Sequence, residues 1–199
     1  MVISESFVWG HVPKTGGTAM RAMFAIFGEL VQYADPSNSV QQHTPFRDRE
    51  EQVRGKKLAL NLRRLPSWIL SREHHKAQWG LHPDYVPVPM DTPDEMASSS
   101  FPDFRLGTFL DEGRFEIDHW LRTEVLTTDF LAFISEYTSV SEEQRRQVMD
   151  LDRLNSNKYD RELDNWFTAD QIERLYASNP VWAGIEEKLH GGLLVGVGH

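Results

Sequence analysis

The chain has 199 residues, no cysteine and a net charge of −9, with 40% hydrophobic and 26% charged residues. That is enough for one domain with a packed core, and it excludes disulfides and thiolate metal sites. The acidic balance disfavours nucleic acid as a partner.

Residues 1–12 are too short and too polar for a signal peptide. No charge-free run of about 18 apolar residues occurs, so a cytoplasmic protein without a membrane span is expected. Phe7 to Val12 reads as a short buried strand, with His11 packed near its end. It runs through Pro13-Lys14-Thr15-Gly16-Gly17 into Thr18–Phe27, a run of helix formers that Gly28 would stop. Leu30 to Tyr33 reads as a second strand and residues 35–39 as a turn. Lys57 to Leu62 reads as a third strand. Pro66 marks a helix start, continued over Ser67–His75.

Residues 80–115 open with Pro and Gly punctuation and pass through Ser98-Ser99-Ser100. They read as one long loop, a lid or acceptor wall to which Trp79, Tyr85, Phe101 and Phe104 would contribute. Ile117 to Arg122 reads as a fourth strand and Thr128 to Tyr137 as a helix. Ser141 opens another helix, and Thr168 with Gln171 has the spacing of a capping box. Strands alternating with helices imply an α/β fold: a single three-layer domain over 1–199, with a mostly parallel sheet flanked by helices. Ligands of such folds sit beyond the carboxyl ends of the strands.

Charge is uneven. Residues 43–76 hold nine Lys or Arg against four acids, a local balance of +5 against −14 elsewhere. Such an island suggests either one local anionic ligand or a solvated helix face. The sharper signal is the strand–turn–helix at Pro13-Lys14-Thr15-Gly16-Gly17-Thr18-Ala19. Two glycines let the backbone turn tightly and approach an anion, and the helix N-terminus supplies amides. Lys14 adds a point charge, and Thr15 and Thr18 add hydroxyls. The lysine precedes the glycines, so this is not the G-x-x-x-x-G-K-[ST] loop of nucleoside triphosphatases.

The order Pro-Lys-Thr-Gly-Gly-Thr resembles the 5′-phosphosulfate loop of sulfotransferases that use 3′-phosphoadenosine 5′-phosphosulfate (PAPS). The likeness is to the carbohydrate-sulfotransferase branch and its bacterial relatives. It implies a P-loop nucleotide-binding-like sulfotransferase fold. Residues 13–19 would hold PAPS and then its product PAP, with Lys14 on the bridging and leaving phosphate oxygens. The family binds the 3′-phosphate through R-x-P-x-x-x-x-x-S. Here Arg63 keeps the spacing to Ser71, while Arg64 keeps the spacing to Pro66; Arg63 with Ser71 is the favoured pair.

Asp118–Leu126, followed by Asp129-Phe130, resembles the family's late strand, where Glu124 would be architectural. Leu154–Tyr159 resembles the segment that closes over the nucleotide, where Asn155, Ser156 or Lys158 would contact it. Several relatives use a histidine between the two phosphate elements as base, which points to His43; a neutral imidazole suits that task. The expected acceptor is a small molecule or carbohydrate hydroxyl. His74, His75 and His82 lack a metal-ligand spacing, so no metal is expected. A nucleotide-kinase-like enzyme and a non-catalytic nucleotide-binding module are the alternative readings.

Overall fold

A computed structural model describes residues 1–36, 39–79, 89–151 and 159–194. In chain order they form β1 (Val2–Ile3), β2 (Phe7–Gly10), α1 (Gly17–Ile26), β3 (Tyr33–Ala34), α2 (Glu50–Val53), β4 (Lys57–Leu62), α3 (Leu65–Trp79), α4 (Pro93–Ala97) and α5 (Phe101–Leu110). Then come β5 (His119–Arg122), α6 (Leu126–Ser135), α7 (Glu142–Met149), α8 (Ala169–Ala177) and α9 (Pro180–His190). No helix among the described residues is long and apolar enough to cross a membrane. By its contacts the chain divides into two compact units, Met1–Leu62 with Gly107–Asn155, and Arg63–Leu106 with Ser156–His199.

The first unit carries the sheet, in the order β3-β1-β2-β4-β5. β2, β4 and β5 are parallel neighbours, while β1 runs antiparallel to both β2 and β3. The sheet is therefore mixed but mostly parallel, four of its five strands sharing one direction. Ser4 closes the β1–β2 turn. Its N–H donates to the Phe7 carbonyl, and its hydroxyl accepts the Phe7 N–H at 2.9 Å. This replaces a backbone turn bond with a side-chain one.

Strand alternation decides the two faces. Phe7, Trp9, Ala59 and Leu121 are buried in one cluster with Met20, Met23 and Phe24 of α1, Phe130 and Phe133 of α6, and Val148 of α7. Phe7 meets Phe133 edge-on at 4.9 Å, and Phe24 meets Phe130 edge-on at 5.2 Å. Val8, Leu58 and Leu60, at the alternate positions, are also buried. Phe46 and Phe109 pack against each other edge-on at 5.9 Å within the same unit.

One expectation in this unit needs correction, and one strand was not foreseen. The second strand is not Leu30–Tyr33 but Tyr33–Ala34. The N–H groups of Leu30 and Val31 are already donated to Phe27 and Gly28 in a 3-10 turn, so they cannot join a ladder. β1 has no counterpart in the sequence reading at all.

The second unit is helical, with α8 packed on α3, α4 and α9. Trp68 and Trp182 meet at 4.9 Å in its interior. The loop expected over 80–115 is corrected within the described residues: 93–97 and 101–110 are helical. Thr92-Pro93-Asp94-Glu95 is itself a capping box with proline in the first turn, a start signal set inside proline-rich chain. Residues 80–88 of that stretch, and Tyr85 with them, lie outside the described residues. Asp103 of α5 caps α9 by accepting the N–H groups of Val181 and Trp182 at 2.9 and 2.7 Å. The capping box expected at Thr168 forms and opens α8, and the helix start expected at Ser141 is itself a capping box, with Gln144, that opens α7.

Candidate functional site

The turn between β2 and α1 lies at the carboxyl end of a central strand. Lys14 and Gly16 have φ of 67° and 85°, and Thr15 between them does not share this left-handed conformation. Alternation of this kind turns successive N–H groups to one side, the backbone form that receives anions. A left-handed lysine is costly, and such residues cluster at functional sites. Gly16 has no such cost, but a Cβ there would still lie 2.8 Å from Leu126. At Gly17 a Cβ would lie 1.8 Å from Nε2 of His11, so that ring occupies the space a side chain would need. Thr18 and Ala19 follow on the first turn of α1, where Thr18 is exposed.

A buried polar network holds the turn. The Thr15 hydroxyl donates to the Val12 carbonyl at 2.7 Å. The Thr15 carbonyl accepts from Asn61 Nδ2 at 2.8 Å and from the Thr123 hydroxyl at 3.1 Å. Asn61 Oδ1 accepts the Trp9 indole N–H at 2.8 Å. Trp9, Thr15 and Asn61 are all 0% exposed, so the bonds among them and to Val12 are made away from competing water. Asn61 and Thr123 were missed by sequence reasoning. A lone amide inside the apolar run Lys-Leu-Ala-Leu-Asn-Leu was the available signal.

His43 lies beside this turn, as does His11. Their rings are 4.4 Å apart, and His11 stacks on Trp9 at 5.4 Å. His43 Nδ1 faces the His11 carbonyl at 3.1 Å. A carbonyl only accepts, so Nδ1 carries the hydrogen and Nε2 carries the basic lone pair. His11 is 6% exposed, and its Nδ1 has no hydrogen-bond partner. Burial pulls its pKa well below the usual imidazole range. Charge on His43, the terminal ammonium, Arg21 and Lys14 pulls it further the same way.

The remaining expected residues belong to the second unit. Arg64 is engaged: its guanidinium meets buried Glu186 at 3.2 Å and the Gly192 carbonyl at 2.6 Å. Glu186 also accepts the Leu65 N–H and the Tyr176 hydroxyl, both at 2.7 Å. Burial raises the Glu186 carboxyl pKa even so. Arg63 instead reaches the Tyr159 hydroxyl at 3.5 Å, and its carbonyl accepts the Trp182 indole N–H at 3.0 Å. Ser71 is 5% exposed on α3. Asn155, Ser156 and Lys158 lie outside the described residues. His74 stacks on Tyr159 at 4.2 Å and stands edge-on to Trp166.

The basic island separates into pairs. Arg47 meets Asp111, Arg49 meets Asp35, Arg54 meets Glu50, Lys57 meets Asp118, and Lys76 meets Glu73 and Asp91. Several of its cations are thus paired with acids, some near in sequence and some distant. At the end of β5, Asp129 grips Arg122 through both carboxylate oxygens, at 2.9 and 2.7 Å.

The fold and this turn define an α/β chain in which a buried hydrogen-bond network shapes the passage from a central strand into a helix N-terminus. Comparison with family models, with curated proteins and with solved structures finds no match.

Proposed function

We propose that the chain is a sulfotransferase that moves the sulfuryl group of PAPS to a hydroxyl of a small-molecule or carbohydrate acceptor. The observation that carries this reading is the backbone of residues 13–18. Lys14 and Gly16 are left-handed, Gly17 opens α1, and Thr15 is fixed from Asn61 and Thr123. A preorganised turn of this kind suits the phosphosulfate end of the donor, because its amides need no rearrangement to meet the anion. With the resemblance of Pro-Lys-Thr-Gly-Gly-Thr, it favours a P-loop-like sulfotransferase fold in a cytoplasmic setting.

In this reading an acceptor oxygen attacks sulfur in line as the sulfur–oxygen bond to the phosphate of PAP breaks, much as in phosphoryl transfer. Lys14 offsets the charge that grows on the departing phosphate. His43 Nε2 takes the acceptor's proton, and the Nδ1–H bond to the His11 carbonyl keeps that nitrogen basic. Arg63 and Ser71 are the residues assigned to the 3′-phosphate. Arg64 is left out because Glu186 already holds it.

Ligand-dependent thermal stability tests the reading, since binding to the native state raises the melting temperature. PAP alone should stabilise the chain, and Lys14→Ala should lose most of that gain. Stabilisation by ATP with magnesium but not by PAP would replace this reading with the kinase-like one. PAP binding without transfer to any acceptor would leave a nucleotide-binding module.

A further inference from the structure

The proposed mechanism uses only the carbonyl of His11, yet its ring is the most constrained imidazole near the turn. It stacks on Trp9, at 5.4 Å and 19°, and meets His43 at a tilt, at 4.4 Å and 46°. Its Nε2 lies where a Cβ of Gly17 would be, so the ring sits against the first residue of α1. Trp9, the ring it stacks on, bonds Asn61, which in turn bonds the Thr15 carbonyl inside the turn. His11 therefore touches the donor turn by two routes and meets His43 by two more, its carbonyl and its ring.

We propose that His11 is a positioning residue, a flat neutral plate that fixes the His43 base relative to the phosphate turn. This rests on the donor reading above. The nitrogens of the ring are not what the role needs. Nδ1 is buried without a partner, and burial first, then the nearby terminal ammonium, Arg21 and Lys14, oppose protonation of the ring. What the ring supplies is shape. Its stack on Trp9 and its place over Gly17 fix a surface against which His43 lies, with Nδ1 turned to the His11 carbonyl and Nε2 carrying the lone pair. Loss of the plate would free the His43 ring to rotate and exchange tautomers, while the turn kept its own bonds from Asn61 and Thr123.

The test uses the full chain and three readouts. Thermal stabilisation by PAP reports the turn. PAP release from PAPS, with p-nitrophenol and methyl glucoside offered as acceptors, reports turnover. Nitrogen-15 spectra of the histidine rings report the tautomer of His43. In His11→Ala, turnover should fall about tenfold to a hundredfold, the scale of a small misplacement of a reacting group. KM for PAPS and the PAP stabilisation should stay near wild type. The two His43 ring-nitrogen signals should move toward averaged positions. His11→Phe, which restores a flat ring, should recover most of the turnover.

Turnover of His11→Ala within twofold of wild type would overturn the proposal. So would loss of turnover and PAP stabilisation together, which would mean the turn had collapsed. Should the variants fail to fold, the wild-type spectrum still decides: a His43 ring with its hydrogen on Nε2 contradicts the role. A wild-type chain that PAP does not stabilise, or that releases no PAP, removes the donor reading and the positioning role with it.

Discussion

Two buried polar networks, one in each unit, solve the same problem in opposite ways. Around Thr15 the bonds are neutral: an indole, an amide, two hydroxyls and backbone carbonyls. They fasten the carbonyl side of the turn and leave its charged member, Lys14, on the half-buried surface. Around Glu186 the bonds are charge-assisted, and they close on themselves through Arg64, Leu65 N–H and Tyr176. The first network shapes a backbone and spends no charge in doing so. The second consumes its own charges to lock the start of α3. An arginine in a phosphate-like motif is therefore informative only once its partners are known, and Arg64, beside Arg63, shows why.

Breaking the closed network should have the largest effect. Glu186→Ala leaves Arg64, Leu65 N–H and the Tyr176 hydroxyl without their shared acceptor. Removing one partner of a buried pair costs about 3–5 kcal/mol, which denaturant titration would read. Lys14→Ala should do the reverse: turnover falls by about a hundredfold or more, the scale for one preorganised electrostatic contact, with little loss of fold stability. A large stability loss in Lys14→Ala would erase the contrast between the two networks.

Asn61→Ala comes next. It strands the Trp9 indole N–H and loosens Thr15, at about 1–3 kcal/mol for an unsatisfied buried group. PAP affinity should weaken with it, because the turn loses its support.

The smallest effect is with pH. Burial holds the folded-state pKa of His11 well below the ordinary imidazole value of 6.5. As pH falls below 6.5, the unfolded chain takes up this proton first, and stability drops. The slope from this group is at most about 1.4 kcal/mol per pH unit, and it vanishes above the unfolded pKa. His74, lowered chiefly by burial, acts in the same direction. His11→Phe should flatten the acid side of a stability–pH curve relative to wild type.

Much of the frame was legible because local signals suffice for it. β4 runs over Lys57–Leu62 as its apolar run implies, and the helix starts at Ser141 and Thr168 follow from local capping residues. β1 and β3 were not legible, because two residues carry no periodicity. The turn at 13–18 could be found from its glycines and lysine, but its support could not. Trp9 is 52 residues from Asn61, and Thr123 is 108 from Thr15. The pairing within the charge island was hidden for the same reason. A count along the chain cannot see that Asp111, Asp118 and Glu186 fold back onto Arg47, Lys57 and Arg64.

The central claim is that the backbone of the 13–18 turn receives the 5′ end of the donor, and amide NMR during a PAP titration measures it most directly. The account predicts that the N–H signals of Gly16, Gly17 and Thr18 move first and furthest, saturating together with the thermal stabilisation. Saturable binding that leaves those amides unmoved while others shift would contradict it.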